Sequence, residues 1–453
     1  MEMILEFLRD VLSQPALLIG IMSCVGLIAL KRPFHKIMTG TLKPILGYLM
    51  LAAGAGVIVS NLDPLGKMIE HGFHITGVVP NNEAIVAVAQ KVLGVETMSI
   101  LVVGLLMNLL IARFTKFKYV FLTGHHSLFM ACLMSAVLGT AGLSGIELIL
   151  VGGFLMGAWS AISPAIGQSY TSKVTDGDEI ALGHFGSLGY YLSAWVAKYV
   201  GKAEESTEDI EIPEKWGFLR DSTLSTALTM IVFYLIAAIA AGSEFVSTLS
   251  GSMSPYLFAV MSAMNFAVGV AIVYSGVRMI LGDLIPAFQG IATKIIPNAI
   301  PAVDCAVFFT YAPTAVVLGF ISSFIGGIIG MLILGAVGGV LIIPGLVPHF
   351  FCGATAGIYG NATGGRRGAA VGAFLNGLAI TFLPALALPV LGQLGFQNTT
   401  FGDADFAVIG LVLGNAFEWI GMAGIYGVVV IAALVLIIPN FIKTKGKVIN
   451  YVE

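Results

Sequence analysis

Acids and histidines that lie within apolar sequence are the residues of this chain best able to do chemistry. Three short segments combine chain-breaking residues with polar side chains: Pro80 to Glu83, Gly124 to Ser127 and Gly183 to Gly186. A fourth, Ile300 to Thr310, reads IPAVDCAVFFT and contains a single carboxylate, Asp304. Carboxylates accept hydrogen bonds from hydroxyl groups, imidazoles donate or accept them, and glycines let backbone amides approach a ligand. These side chains suit a small polyhydroxylated ligand better than an inorganic ion.

Each of these residues also has a purely structural explanation. Asp304 could cap a short helix or lie at an interface, and the histidines could be packing residues. A charged side chain at the centre of a bilayer costs about 2.5 kcal/mol or more, so an acid within a membrane span is by default a functional-site hypothesis. Four other acids are expected at helix N-termini or in loops instead: Asp178, Glu179, Asp403 and Asp405.

Other kinds of chemistry find little support in the sequence. The glycine-rich run from Gly364 to Gly368 lacks the Lys-Ser/Thr of a phosphate loop, and neither HExxH nor a Ser-His-Asp arrangement is present. The four cysteines have no CxxC spacing, which argues against disulfides and metal sites. The sequence has no basic patch with interleaved aromatics, the pattern that would indicate nucleic-acid binding. We therefore expect no cofactor, no metal and no nucleic-acid partner.

The composition is that of a polytopic membrane protein. Of 453 residues, 57% are apolar and only 10% are charged, and the mean hydropathy is +0.96. A soluble domain carries about 25% charged residues. The 56 glycines and 17 prolines indicate close helix packing and broken helices.

About eleven membrane crossings are predicted from apolar runs of about 20 residues. They lie near 11–31, 38–60, 97–113, 119–140, 145–168, 223–245, 253–277, 316–338, 340–360, 368–390 and 418–441. If the N-terminus is outside, nearly all lysines and arginines between spans fall on the cytoplasmic side, apart from Lys67 and Lys91. Because cytoplasmic loops collect such residues, the N-terminus is predicted outside and the C-terminus in the cytoplasm.

The two halves of the chain resemble each other in order. Pro64 and Pro286 lie within the related segments 56–69 and 276–291. Likewise, VPNNEA at 79–84 matches IPAVDCA at 300–306, and GGFLMG at 152–157 matches GAFLNG at 372–377. The sequence thus predicts a first repeat at 1–200, a cytoplasmic linker with an extra span at 201–250, and a second repeat at 251–453. Five spans in each repeat, with one between, make the repeats inverted. Re-entrant hairpins are expected near 79–86 and 297–312, with Glu83 as the partner of Asp304.

Four segments together resemble a known family. They are FLTGHHSLFMA (Phe121 to Ala131), VTDGDEIALGHF (Val174 to Phe185), KAEESTEDIEIP (Lys202 to Pro213) and the 21 residues from Ile300 to Phe320. They resemble the ascorbate-specific permease component, enzyme IIC, of the bacterial phosphotransferase system. This resemblance implies an all-α homodimer in the bacterial inner membrane, with a substrate-holding core domain and a dimerisation domain.

The same resemblance implies the substrate contacts. Carried over residue by residue, they are Asn82, Glu83, His125, His126, Ser127, Leu128, Phe129, His184, Phe185 and Asp304. Phe129, Phe185 and the Asn82–Glu83 pair depart from the glutamines and the Thr-Tyr pair of other members. These departures leave the fold and the mechanism intact, but a related pentitol or another sugar acid stays possible as the substrate in place of L-ascorbate.

The expected partners are soluble phosphotransferase proteins. The sequence holds no soluble domain to carry a phosphoryl group, so the resemblance implies that a separate IIB protein, charged by IIA, phosphorylates the substrate. Two alternatives stay open from the residues alone. One is a secondary symporter in which Glu83 and Asp304 carry the coupling proton, and the other is a non-transporting sensor.

Overall fold

The protein is almost entirely helical. A computed structural model describes residues 11, 14–74, 77–80, 82–177, 179–210, 222–392 and 399–441. The helices of the first half are α1 (Pro15–Ala29), α2 (Phe34–Gly72), α3 (Asn82–Phe114), α4 (Gly124–Thr140), α5 (Gly145–Thr175) and α6 (Ser187–Val200). Those that follow are α7 (Ser222–Ala241), α8 (Ser243–Ser250), α9 (Pro255–Lys294), α10 (Pro313–Ala336), α11 (Leu346–Gly392), α12 (Ala404–Ile420) and α13 (Met422–Ile437).

Long apolar helices make this a polytopic membrane protein. Within the described residues, seven helices are long and apolar enough to cross a membrane, or eight if the bent pair formed by α7 and α8 is one span. The predicted number of eleven is not tested by this count, because helix α11 is broken at Gly364 and Gly365. A Cβ added to Gly360 would collide with the backbone of Gly368, so the chain folds back there. The predicted crossings 340–360 and 368–390 fall on the two arms.

Two helices, α6 and α12, were not predicted as separate elements. Helix α6 has only 14 residues, fewer than the about 20 that a span requires. The predicted crossing at 418–441 is interrupted at Gly421, whose φ of 61° ends helix α12 and lets helix α13 begin in a new direction. Glycine adopts such positive φ angles at little steric cost.

Among the described residues, five short strands lie between the helices and form two small parallel sheets. Strand β4 (Ile300–Val303) is the middle strand of three, between β2 (Tyr119–Phe121) and β3 (Ala181–Leu182). Strand β1 (Val79–Pro80) pairs with β5 (Thr399–Thr400), and the neighbouring Val78 forms a further parallel bridge with Ile342. Each sheet therefore joins strands from the two halves of the sequence.

Helices α2 and α9 cross with their backbones in direct contact. A Cβ on Gly54 would lie 2.8 Å from the carbonyl oxygen of Gly269, and a Cβ on Gly276 would lie 2.6 Å from that of Gly47. Lipid tails provide no hydrophobic force between helices, so close contact through small residues supplies much of the association energy.

We predict that replacing Gly54 by leucine destabilises the protein, whereas the same change at Gly56 does not. Gly56 lies half a turn away on α2, and a Cβ there would meet no atom within 4 Å. Overpacking of the α2–α9 contact should cost about 1–3 kcal/mol. Thermal unfolding of the two purified variants in the same detergent measures the difference, and equal melting temperatures would contradict the close contact.

Candidate functional site

The polar residues of the candidate site follow the carboxyl ends of the short strands. Asp304 follows β4 directly, His184 comes two residues after β3, and His125 opens helix α4 shortly after β2. Asn82 and Asp403 come two and three residues after β1 and β5, respectively. Because the carboxyl ends of parallel strands lie at the same edge of a sheet, pairing of the strands brings these side chains together.

Asp304 lies within ion-pair distance of His125, which is itself hydrogen-bonded to Tyr48. His125 Nε2 lies 3.3 Å from Asp304 Oδ2, and His125 Nδ1 lies 3.2 Å from the Tyr48 hydroxyl of helix α2. The other carboxylate oxygen, Oδ1, accepts a hydrogen bond of 3.0 Å from the backbone N–H of Ala306. Asp304 is thus the N-cap of the short 3₁₀ helix Cys305–Thr310, as the structural explanation expects, and it also lines the cavity described below.

His126 and His184 are buried with their rings in contact, the centroids 3.7 Å apart. The Nδ1 atom of His126 accepts a hydrogen bond from Phe185 N at 3.3 Å, and that of His184 accepts one from Gly186 N at 3.1 Å. A backbone N–H can only donate, so each Nδ1 is unprotonated and the proton of the neutral ring is on Nε2. Both histidines can therefore offer an Nε2–H donor to a ligand.

Asp403 enters the site although the sequence placed it among ordinary loop or helix acids. Its Oδ2 accepts a hydrogen bond of 2.6 Å from Asn82 Nδ2, and its Oδ1 accepts one of 2.9 Å from the thiol of Cys352. His184 Nδ1 lies 3.8 Å from the same Oδ1. Local sequence patterns do not reveal this position, because the strand that Asp403 follows, β5, pairs with β1 from the other half of the chain.

Asp405 fixes the turn that carries His184. The carboxylate is fully buried and accepts hydrogen bonds from Trp159 Nε1, Ser187 Oγ and Leu188 N, at 3.2, 2.7 and 2.9 Å. Its own backbone N–H donates to Phe185 O at 2.9 Å. Asp405 thus ties helices α5 and α6 and the His184 turn to the start of helix α12.

A cavity of about 1260 Å³ opens from this cluster to the surface. Six of the predicted contacts line it: Asn82, His125, His126, Phe129, His184 and Asp304. Its lining extends along helix α2 to an exposed ion pair between Asp63 and Lys67, whose charged atoms lie 2.8 Å apart. Ligand pockets typically measure about 300–1,000 Å³, so there is room for a sugar-sized molecule and some water.

The other predicted contacts are placed differently. Ser127 is buried and its hydroxyl donates to Thr123 O, Leu128 packs against the apolar core, and the buried ring of Phe185 stacks on Phe121. The side chain of Glu83 lies outside the described residues. Glu83 follows the first residue of helix α3, whereas Asp304 precedes its 3₁₀ helix, so the two acids do not occupy equivalent backbone positions.

The end of the cavity lined by Asp304, His184 and Asp403 is called the cavity base below. Among the described residues, two groups of side chains there could ligate a metal: His126, His184 and Asp403, and His184, Asp304 and Cys305. A histidine that ligates a metal almost always donates its other ring N–H to an acceptor. In both His126 and His184, Nδ1 accepts a hydrogen bond from a backbone N–H, so it is neither a free ligand atom nor an N–H donor. The hydrogen bonds thus favour a ligand with acceptor and hydroxyl groups over a cation.

Apolar helices around a deep cavity with a buried polar base define a polytopic membrane protein of the permease class. Residues 10–405 match the family described as EIIC-GAT, the PTS system sugar-specific permease component, and the chain belongs to this family. The resemblance to a phosphotransferase permease is thereby confirmed.

One relative gives a more specific comparison. The chain is 26% identical over 417 residues to a Mycoplasma pneumoniae protein named "Ascorbate-specific PTS system EIIC component". The alignment covers 79% of this chain and 62% of the relative. The chain therefore spans less than two thirds of the length of that relative.

We predict that His126 and His184 are both neutral Nε2–H tautomers in the protein without ligand. Nitrogen-15 NMR spectra of histidine-labelled protein, assigned with His126→Asn and His184→Asn, distinguish the two ring nitrogens. We expect an unprotonated Nδ1 in both residues because backbone N–H groups donate to it. A protonated Nδ1 in either residue would contradict the hydrogen-bond assignment.

Proposed function

We propose that this protein is the translocating subunit of a phosphotransferase system that takes up L-ascorbate. A separate IIB protein, charged by IIA, would phosphorylate the substrate. The observation that carries the proposal is the cluster of Asp304, His125 and Tyr48 at the base of a sugar-sized cavity, in a member of the PTS sugar permease family. The name of the Mycoplasma relative supports ascorbate over other sugars.

The chemistry of the cavity base fits a small hydroxylated acid. Ascorbate carries several hydroxyls and, at neutral pH, one negative charge that is shared between two oxygens bonded to ring carbons. Asp304 offers carboxylate oxygens to the hydroxyls, and the Nε2–H groups of His126 and His184 are donors for the anionic oxygens. A related pentitol has hydroxyls for the Asp304 carboxylate but no anionic oxygen for the Nε2–H donors. Ascorbate or another sugar acid would use both kinds of group.

The proposed architecture is an inverted repeat of two five-span units with an extra span between them. Gly47, Gly54 and Pro64 each have a counterpart 222 positions later, at Gly269, Gly276 and Pro286. Gly47 contacts Gly276 and Gly54 contacts Gly269, as a two-fold axis between α2 and α9 requires. The similar parallel pairing of β1 and β4 is further support. We propose that the protein works as a homodimer with a core domain and a dimerisation domain.

Alternating access would be the transport mechanism. With the N-terminus outside, the mouth of the cavity near Asp63 and Lys67 faces the exterior. At the opposite end, the carboxylate of Glu208 accepts hydrogen bonds from Thr314 N and Ala315 N at the start of helix α10, 3.0 and 3.1 Å long. Among the described residues, those of the 198–210 segment do not line the cavity. These features support an outward-open state that is closed towards the cytoplasm.

Release into the cytoplasm would be coupled to phosphoryl transfer. The core domain would expose bound ascorbate to phospho-IIB docked on the cytoplasmic loops. One hydroxyl oxygen of ascorbate would form a bond to phosphorus while the bond from phosphorus to IIB breaks, and the hydroxyl proton would pass to solvent. The added charge would prevent return of the product through the apolar protein.

Replacing Asp304 by asparagine is expected to weaken ascorbate binding about tenfold or more, because a hydrogen bond to a charged acceptor contributes about 1.5–3 kcal/mol. Asp283→Asn is the matched control, since this acid lies on helix α9 and pairs with Lys43 at 3.6 Å, away from the cavity. Calorimetric titration of the purified variants measures the affinities. Equal affinity of Asp304→Asn and the control would contradict the site assignment.

Uptake in right-side-out membrane vesicles tests the coupling. Vesicles loaded with IIA, IIB and phosphoenolpyruvate plus the general phosphotransferase proteins should accumulate labelled ascorbate as its phosphate. Vesicles without IIB should show no accumulation, whatever the proton gradient. Accumulation of unmodified ascorbate that depends on the proton gradient and not on IIB would instead establish a proton symporter.

A further inference from the structure

Asp403 stands at the N-cap of helix α12 but does not cap it. The residue precedes Ala404, the first residue of the helix, and its side chain makes no hydrogen bond to the helix N-terminus. An aspartate at this position ordinarily accepts a hydrogen bond from a backbone N–H of the first turn. Instead, the carboxylate lines the cavity, and only 5% of the residue is exposed. Its position therefore needs an explanation other than helix capping.

The neighbouring Asp405 shows what a purely structural buried acid looks like in this protein. Three donors satisfy its carboxylate, from Trp159, Ser187 and Leu188, and the residue does not line the cavity. Asp403 receives two hydrogen bonds, one from the amide of Asn82 and one from the thiol of Cys352. A thiol is a weak donor. Asp403 thus retains acceptor capacity, and this capacity is directed to the cavity.

We propose that Asp403 is a second acidic contact of the substrate and accepts a hydrogen bond from one of its hydroxyls. Burying a carboxylate is costly unless donors compensate for the lost water. A hydroxylated ligand at the cavity base would supply the missing donor. The inference rests on the proposed function, because it requires that the occupant of the cavity is rich in hydroxyl groups.

Asp403 and Asp304 would hold the ligand between them. The ligating atoms of His184, Asp304 and Cys305 all lie within 4.8 Å of one another, and so do those of His126, His184 and Asp403. His184 is common to both groups and thus lies close to both acids. One sugar-sized molecule placed against His184 can reach both carboxylates with hydroxyls on different carbons. Asp403 would then select for the number and position of hydroxyls.

Calorimetric titrations of the full-length purified protein test this role. The variants are Asp403→Asn, Asp403→Glu and the control Asp283→Asn, and the probes are L-ascorbate, xylitol and ascorbate analogues with one hydroxyl at a time methylated, inverted or removed. We expect Asp403→Asn to weaken ascorbate binding about tenfold, as for other hydrogen bonds to a charged group. For the analogue that lacks the hydroxyl in contact with Asp403, the wild type and Asp403→Asn should bind with nearly equal affinity. If Asp403→Asn does not fold, Asp403→Glu should still change the order of affinities among the analogues.

The outcomes separate this inference from the proposed function. An equal loss for every analogue would overturn it, because Asp403 would then act only through the position of Asn82. Unchanged ascorbate affinity in Asp403→Asn would overturn it as well. If the wild type binds xylitol but not ascorbate, the proposed substrate is wrong, while weaker xylitol binding by Asp403→Asn would still support the inference. Failure of the wild type to bind any probe would overturn both.

Discussion

Extended backbone inside an apolar protein must find hydrogen-bond partners, and the rest of this structure depends on how that requirement is met. Unpaired N–H and C=O groups cost several kcal/mol each where water is excluded. Strand β4 meets the requirement by lying between β2 and β3, and β1 meets it by pairing with β5. The parallel pairing sets the positions of the residues that follow, so Asp304, His125, His184 and Asp403 converge on the cavity base.

Hydrogen bonds from the backbone also determine which atoms of the site are left to contact a ligand. Backbone amides of 185 and 186 donate to the two buried histidines and so leave their Nε2–H groups available to a ligand. Asp405 holds the turn that supplies those amides. Close glycine contacts between α2 and α9 position helix α2, which carries Tyr48 to His125. Helix packing and the histidine tautomers are therefore linked through a few residues.

Residues with a high cost of burial are the ones that stand out most clearly in the sequence. Asp304, His125, His126 and His184 stand out because a polar side chain in apolar sequence needs a reason, and all four line the cavity. Asp403 did not stand out, because an acid before a helix has an ordinary explanation as a cap. Helix α6 is too short for a span-length pattern, and the pairing of β1 with β5 joins residues too distant in sequence for local patterns to reveal. Family membership, in contrast, followed from motifs and was confirmed.

Strand pairing between distant parts of the chain also has a consequence for biosynthesis. Asn82 and Asp403, which follow β1 and β5, are separated by 321 positions. The ribosome makes the first of these strands long before its partner, which emerges only after the helices between them. Contacts between such distant residues form late and slowly. The first strand therefore has no strand partner until β5 is made, and the cavity base is completed only then.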